Sequence, residues 1–329
     1  MKLKKYIALI LSVLSLVSLL AGCNSTSSTQ TPPAQPNTAE PAVAPVATLS
    51  PKERWGIDKL VIVLMPGEDT PEVTYTRNVF DEALSEFLGM PVEEYHATNY
   101  SAMVEAMRTG HAHVGSFGPF AYVHAVDRAG AECFAVSSVD GTHGYYSHII
   151  VRTESDIYTL DDLAGRTFGF VDPESTSGNI VPSNEILNYF ADSMPDLTFE
   201  SLHINGRFFE SVMFTGSHAN SCQGVNMGDV DAAAVTSTTV ASQIKNGLVE
   251  EGALRTIFIS PLIPASPLAI QKDLPQELKD LIINFFLTWD DQEFWDIRNS
   301  SNPQTRYWPV QDSEYDYIRE LRDKYDLTD

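Results

Sequence analysis

The sequence at residues 60–67 reads LVIVLMPG, six apolar residues followed at once by a Pro-Gly pair. An uninterrupted apolar run that ends in turn residues is typical of a strand covered on both faces. The next segment places apolar side chains at helical spacing from Val79 to Leu88 and ends at Gly89. This spacing predicts an amphipathic helix with a glycine C-cap. A buried strand followed by an amphipathic helix is the repeating unit of an α/β fold.

The same alternation continues along the chain and begins a second time after residue 151. Further strands are predicted at residues 91–97, 114–117, 133–139, 146–151, 167–171, 230–235 and 255–260, and helices at residues 119–129 and from about Asn179 and His218. Strands that alternate with helices over short loops predict a largely parallel sheet. Two such units, the second inserted into the first, predict two lobes joined by two strands. A hinged cleft between lobes is the usual place for a ligand.

The N-terminus indicates export from the cytoplasm. Basic residues precede an apolar run at residues 6–20, which is shorter than the ~20 residues that span a bilayer and is typical of a cleaved signal. The run closes on Leu-Ala-Gly-Cys, a lipobox pattern in which Cys23 is lipidated and becomes the first mature residue. Several acyl chains on one residue exceed what stable membrane anchoring requires.

The domain division expected from these patterns has four parts. Residues 1–22 form the signal peptide, residues 23–54 a disordered tether, residues 55–152 with 257–329 the first lobe, and residues 153–256 the second lobe. The tether is predicted because residues 24–51 contain six prolines and only one charge, Glu40. Cys133 and Cys222 lie in apolar or helical contexts, which predicts two free, buried thiols and no disulfide framework.

The charge balance excludes one class of partner. The chain of 329 residues has a formal net charge of −23, which becomes −26 when the three lysines of the signal peptide are removed. Beyond the first five residues no cluster of Lys or Arg occurs, so a nucleic-acid partner is excluded. The absence of GxGxxG, P-loop and CxxC motifs leaves nucleotide and redox functions without support, and no cofactor is expected. His111 and His113 invite a metal interpretation, but a complete zinc shell is not evident and no metal is expected.

The most informative stretch is residues 168–179, FGFVDPESTSGN. A strand leads into a turn rich in hydroxyl groups and glycine, and a helix is predicted after it. Free backbone N–H groups at such a helix start can bind an anion, although an ordinary helix cap explains one such turn equally well. No Lys or Arg occurs between residues 167 and 194. An anion here would be held by dipoles and hydroxyl groups.

A second stretch of the same kind favours the anion interpretation. Residues 214–220 read FTGSHAN, again a hydroxyl- and glycine-rich start of a predicted helix, with a histidine added. Ser217 and His218 are adjacent, so they do not form the nucleophile and base pair of a catalytic triad. His218 fits better as a hydrogen-bond donor to an anion. These residues argue against an enzyme and for a binding protein.

At this point the sequence resembles the substrate-binding lipoproteins of bacterial ABC transporters for phosphate, phosphite and phosphonates. The segments that carry the resemblance are NYS at 99–101, EAMR at 105–108, AVDR at 125–128, GYYS at 144–147, DPESTSG at 172–178, GSH at 216–218, GDVD at 228–231 and SPLIP at 260–264. The DPxSTSG pattern is the most specific of them. The resemblance implies a type II periplasmic-binding-protein fold, with mainly parallel sheets flanked by helices and the ligand in the cleft between two lobes.

The resemblance also implies roles for particular residues. Ser175, Thr176 and Ser177 would contact ligand oxygens from one helix start, Ser217 and His218 from another, and Tyr100 and Tyr145 would close over the ligand. Family members that bind aminoalkyl phosphonates place carboxylates opposite the phosphonate group. The matching positions are Thr238 and Ser266, which carry no charge.

The expected function is that of a lipid-anchored monomer on the outer side of the cytoplasmic membrane. It would deliver a small phosphorus oxyanion to an ABC permease and its ATPase. A sensor subunit of the same fold that signals to a membrane kinase is the alternative, and the sequence does not separate the two.

Overall fold

The computed structural model describes residues 49–67, 70–141, 143–298 and 304–328. The expected signal peptide and Cys23 lie outside the described residues. Among the residues described, no helix is long and apolar enough to cross a membrane.

The first lobe is built on a sheet of six strands. In spatial order these are β11 (Arg306–Pro309), β4 (Ala131–Ser138), β10 (Leu268–Gln271), β3 (Val114–Ser116), β1 (Leu60–Leu64) and β2 (Val92–His96). Its helices are α1 (Pro51–Trp55), α2 (Pro71–Leu88), α3 (Tyr100–Arg108), α4 (Pro119–Ala129), α9 (Gln276–Thr288), α10 (Gln292–Arg298) and α11 (Asp316–Lys324).

The second lobe is built on a sheet of five strands. In spatial order these are β7 (Ser211–Phe214), β6 (Thr167–Phe170), β8 (Ala232–Thr236), β5 (Ser147–Arg152) and β9 (Leu254–Ile259). Its helices are α5 (Val181–Phe190), α6 (Phe199–Leu202), α7 (His218–Met227) and α8 (Thr239–Lys245), and a π-helical turn at Thr176–Ile180 leads into α5. The predicted helix at residues 119–129 and the predicted helix start at His218 are both confirmed.

Both sheets are mixed, whereas mainly parallel sheets were expected. In the first, β1 is parallel to β2 and β3, but β10 is antiparallel to β3 and β4. In the second, β6 is parallel to β7 and β8, but β5 is antiparallel to β8 and β9. A parallel neighbour needs a long crossover. Strand β5 follows the first lobe crossing and strand β10 follows the second, and each runs opposite to the parallel strands of its sheet.

The lobe boundaries differ from those expected at 152/153 and 256/257. Strands β5 and β9 pair only within the second sheet, so the chain leaves the first lobe after Ser138 and returns to it after Ile259. The reason is burial on both faces, because Ile149, Ile150 and Val151 are fully buried in the apolar clusters of the second lobe. The two crossing segments are joined by backbone hydrogen bonds between Tyr145 and Ile263 of 3.0 and 2.8 Å.

The apolar core of the first lobe continues into the second. Val171, Ile180 and Val181, which flank the turn after β6, belong to the same buried cluster as residues of α3 and α4. The lobes are therefore in direct contact around this turn. Among the described residues neither Cys133 nor Cys222 forms a disulfide; Cys222 is buried as expected, while Cys133 is only partly buried.

The folded region begins earlier than expected. The tether was predicted to reach residue 54, but Ser50 caps α1 in a reciprocal pair with Glu53. Trp55, at the end of this helix, is 5% exposed and belongs to the apolar cluster on one face of the first sheet. The folded region therefore includes residues 50–54, which were predicted to belong to the tether.

Replacing Trp55 with alanine should lower the free energy of unfolding by about 3–5 kcal/mol, because it leaves a cavity in the core. Urea unfolding followed by fluorescence or circular dichroism measures this change. Lys52→Ala on the same helix is the control, since its ion pair with Asp58 is exposed and is worth less than about 1 kcal/mol. Equal small effects of both substitutions would show that α1 is not part of the core.

Candidate functional site

The turn after β6 is buried and tightly closed. Ser175, Thr176 and Ser177 are each at most 2% exposed. The Ser175 hydroxyl oxygen accepts a hydrogen bond of 3.1 Å from the Gly178 N–H, which caps the π-helical turn. A Cβ atom at Gly178 would lie 2.3 Å from Val171 Cγ2, so only glycine permits this closure. The hydroxyl groups are thus held in place by the backbone of the turn itself.

Thr176 connects this turn to the other lobe. Its Oγ1 accepts a hydrogen bond of 2.8 Å from the backbone N–H of Phe120, in the first turn of α4. The N-cap of α4 is Gly118, which has no side chain to serve that N–H. A threonine from the second lobe therefore takes the place of a capping side chain on a helix of the first lobe.

The two predicted tyrosines reach the same turn from the first lobe and the crossing segment. Tyr100 begins α3, is 4% exposed, and its hydroxyl forms a hydrogen bond with Ser175. Burial raises the pKa of Tyr100 well above its usual range. Burial also raises the pKa of Tyr145 to about 12, although hydrogen bonds with Ser177 and Thr176 oppose the rise. Both phenols stay protonated at any physiological pH and remain able to donate.

The second predicted helix start lies beside the first. The backbone N–H groups of Thr215 and Gly216 each donate a hydrogen bond of 2.8 Å to the carbonyls of Phe170 and Val171. Ser217 then caps α7 by accepting a hydrogen bond of 3.1 Å from the Asn220 N–H. The two hydroxyl-rich turns thus follow neighbouring parallel strands at the same edge of the second sheet.

His218 is held in one tautomer. Its Nδ1 accepts a hydrogen bond of 3.1 Å from the backbone N–H of Thr236, so the ring proton is on Nε2. Burial lowers the pKa of His218 to about 4, and the ring is neutral near pH 7. The Nε2–H group is therefore a fixed donor that carries no formal charge.

These groups share one pattern of hydrogen bonding. Ser175, Thr176, Ser217 and His218 each accept a hydrogen bond from a backbone N–H, which leaves the proton of each side chain to donate elsewhere. Among the described residues, no side chain that hydrogen-bonds to this cluster belongs to Lys or Arg. The arrangement is a set of convergent neutral donors, suited to an anion.

Asp172 does not change this character. It is buried at the start of the turn, and burial raises its pKa even though the backbone N–H groups of Glu174 and Tyr100 donate to it. The bond from Glu174 is 2.8 Å long. The carboxylate of Asp172 therefore accepts hydrogen bonds from the backbone of both lobes.

The two positions expected to set specificity differ in their surroundings. Ser266 is partly buried and forms a hydrogen bond with the Tyr145 hydroxyl, so it lies with the predicted cluster. Thr238 is exposed at the N-cap of α8 and makes no side-chain capping bond. The structure brings Ser266 to the cluster and leaves Thr238 facing solvent.

Sequence reasoning missed two groups at the lobe contact. One is the Phe120 N–H, although the Gly-Pro pair at the start of α4 was a signal that a helix start there lacks a side-chain cap. The other is Glu174, which is 7% exposed and accepts a hydrogen bond of 2.6 Å from the Ser101 hydroxyl of α3. Of the histidines considered for a metal, His113 is buried and its Nδ1 accepts from the Val61 N–H at 3.0 Å.

Residues 62–315 match the family model described as the periplasmic phosphonate substrate-binding protein of ABC transporters. The chain belongs to this family. It is 31% identical to the phosphonates-binding periplasmic protein of Escherichia coli over 64% of this chain and 60% of that relative. It is 28% identical to the phosphate-import protein PhnD of Mycolicibacterium smegmatis over 81% of this chain and 85% of that protein. The match to the E. coli relative thus covers less than two thirds of its length.

Solved structures of the family share the fold. PhnD1 of Prochlorococcus marinus, solved in complex with methylphosphonate, superposes with a TM-score of 0.69 at 21% identity, covering 82% of this chain and 98% of that one. The binding-protein component of a phosphonate transporter from Pseudomonas aeruginosa gives 0.70 at 24% identity, with 82% and 87% covered. The expected two-lobed periplasmic-binding fold is therefore confirmed.

Replacing His218 with alanine should weaken the binding of an oxyanion at this cluster about 10- to 150-fold, since a hydrogen bond to a charged group is worth roughly 1.5–3 kcal/mol. The loss should be the same at about pH 6 and about pH 8, because a ring whose pKa is near 4 donates in its neutral form at both. Calorimetric titration with phosphite measures it. His111→Ala, an exposed histidine of the first lobe, is the control. An unchanged affinity would give His218 a purely structural role.

Proposed function

We propose that this protein is the solute-binding lipoprotein of an ABC importer and that it binds a small phosphorus oxyanion. The observation that carries the proposal is the cluster of neutral donors at the contact between the lobes, with Tyr100 on one side and Ser175, Thr176 and His218 on the other. A small tetrahedral oxyanion accepts many hydrogen bonds in a compact volume. Donors supplied by both lobes would reach it together only when the lobes are closed.

The phosphorus class is supported by what the relatives are named for. The E. coli relative is named for phosphonates and the M. smegmatis relative for phosphate import, while the P. marinus protein was solved with methylphosphonate. Ser175, Thr176 and Ser177 lie in the DPxSTSG segment that carried the resemblance. Phosphite, phosphate and methylphosphonate are therefore the proposed ligands.

The remaining parts of the proposal concern location and partners. Lipidation of Cys23 and a tether ending before residue 50 would hold a monomeric binding domain at the outer face of the cytoplasmic membrane. Its partners would be an ABC permease and ATPase, and it would catalyse no reaction. The comparisons offer no support for the sensor alternative. Genes for a permease and an ATPase beside this one would argue for import, and a kinase gene in their place would argue for the sensor.

Phosphite, phosphate or methylphosphonate should raise the melting temperature without added metal, and sulfate serves as the comparison anion. A ligand at about 100 times its Kd stabilises a protein by roughly 2.7 kcal/mol. A thermal-shift screen of the full chain, followed by calorimetry for a 1:1 stoichiometry, makes the measurement. The proposal is wrong if none of the phosphorus compounds raises the melting temperature.

The protein should bind 2-aminoethylphosphonate more weakly than these compact ligands. An ammonium group beside Ser266 would leave water and meet a neutral hydroxyl, because Ser266 and the solvent-facing Thr238 hold the positions of the family's carboxylates. An unpaired buried charge is costly. Calorimetric titrations of both ligands, side by side, test this expectation.

Replacing Ser266 with Asp and Thr238 with Glu together should reduce the difference in affinity between 2-aminoethylphosphonate and phosphite. Ser266→Asp should account for most of the effect, because Ser266 is the position that contacts Tyr145. The same double variant should weaken phosphite binding through like-charge repulsion. Equal affinity of the wild-type protein for both ligands would contradict the expectation.

A further inference from the structure

Glu174 is a buried carboxylate that crosses from one lobe to the other. It lies in the turn after β6 of the second lobe, yet its Oε1 accepts a hydrogen bond of 2.6 Å from Ser101 in α3 of the first lobe. Its other oxygen, Oε2, is buried without a hydrogen-bond partner among the described residues. None of the roles assigned above to the donor cluster uses this carboxylate. A buried carboxylate is costly in free energy unless a cation or hydrogen-bond donor pairs with it.

The group that faces it is His124 of α4, which is 4% exposed. His124 Nε2 lies 2.9 Å from the carbonyl oxygen of Leu327, and Nδ1 lies 3.6 Å from Glu174 Oε1. A carbonyl only accepts, so Nε2 carries a proton. In a neutral ring Nδ1 would then present a lone pair to a carboxylate. Nδ1 is also a buried atom without a hydrogen-bond partner.

One additional proton would give His124 Nδ1 and the Glu174 carboxylate a favourable contact with each other. On Nδ1 it converts the ring to an imidazolium whose two N–H groups face two acceptors, the Leu327 carbonyl and the Glu174 carboxylate. We propose that Glu174 and His124 form a proton-dependent latch between the lobes, in which closure takes up one proton at His124 Nδ1. The latch rests on the proposed function, because it acts on the closed form that would hold the ligand.

The charged groups around Glu174 and His124 indicate which of these two side chains takes up the proton. Asp172, on the same turn, is a like charge. On the first lobe, Arg128 of α4 attracts Glu174 from a distance and is itself paired at 2.6 Å with Glu105 of α3. Burial would raise the pKa of Glu174, but the nearby His124 ring and the hydrogen bond from Ser101 hold it below its usual value. Glu174 therefore remains ionised over the range tested, and the added proton binds to the ring.

The latch couples pH to ligand affinity. The two partners lie on different lobes, so the ion pair forms only when the lobes are closed, and a ligand that requires closure gains from it. Protonation and ligand binding then favour each other by the same factor. Affinity should increase as the pH falls from about 8 to about 5.5, by at most about tenfold per pH unit for one linked proton.

The experiment is a calorimetric titration of the full chain with phosphite across this pH range, for wild type and Glu174→Gln. The protonation of phosphite itself is common to both proteins and cancels in the ratio of their affinities. We expect the affinity of wild type divided by that of Glu174→Gln to fall by about tenfold or more as the pH rises from about 5.5 to about 8. In buffers of different ionisation enthalpy, wild type should take up as much as one more proton than the variant. Glu210→Gln, an exposed carboxylate of the second lobe, should behave as wild type.

Two further variants separate the proton from simple packing. His124→Gln should remove the same pH dependence, while Ser101→Ala should weaken binding at every pH without changing the profile. In the phosphite-loaded protein, nitrogen NMR with labelled histidine should show His124 with both ring nitrogens protonated at about pH 6.

The outcomes distinguish the latch from the proposed function. The latch would be overturned, and the proposed function left standing, by either of two results. One is a ratio of wild-type to Glu174→Gln affinity that does not change with pH; the other is a neutral His124 ring in the loaded protein at about pH 6. A chain that binds no phosphorus oxyanion at any pH would overturn both.

Discussion

An anion held without a cation requires several aligned donors at once, and this chain divides them between two lobes. The hydrogen bond from the Phe120 N–H to Thr176 Oγ1 joins a helix start of one lobe to the hydroxyl-rich turn of the other. Val171 and Ile180 flank this turn and enter the core of the first lobe. The hydroxyl groups of Tyr100 and Tyr145 are then within reach of the serine and threonine side chains. The cluster exists because the lobes meet at this turn.

Local signals were sufficient for the elements that carry the cluster. Proline at the first position of α4 and the hydroxyl residue before α7 mark helix starts whatever surrounds them. The point at which the chain crosses between lobes was harder to predict. Ile149 and Val151 on one face of the strand and Ile150 on the other are all apolar, and such a strand would suit either sheet. The lobe contact of Glu174 could not be predicted either, because a glutamate in a turn is usually solvated. Which distant residues meet depends on tertiary packing, and spacing along the chain does not encode it.

The backbone determines the direction in which the side chains donate. Each hydroxyl or ring nitrogen that accepts from a backbone N–H is oriented by a group that belongs to a helix start or to a strand end. Ser175, Ser217 and His218 are all held in this way. A donor oriented before the ligand arrives loses little entropy on binding, which favours affinity without formal charge.

The overall charge of the protein does not oppose such a site at short range. The formal net charge of −23 would repel an anion in solution, but physiological salt screens that field beyond ~8–10 Å. Inside the proposed site an anion would instead meet oriented O–H and N–H dipoles in surroundings of low dielectric constant, where each interaction is stronger than in water. Closure therefore does two things at once. It would bring the donors of both lobes to the proposed ligand, and it would remove the solvent that weakens their interactions with it.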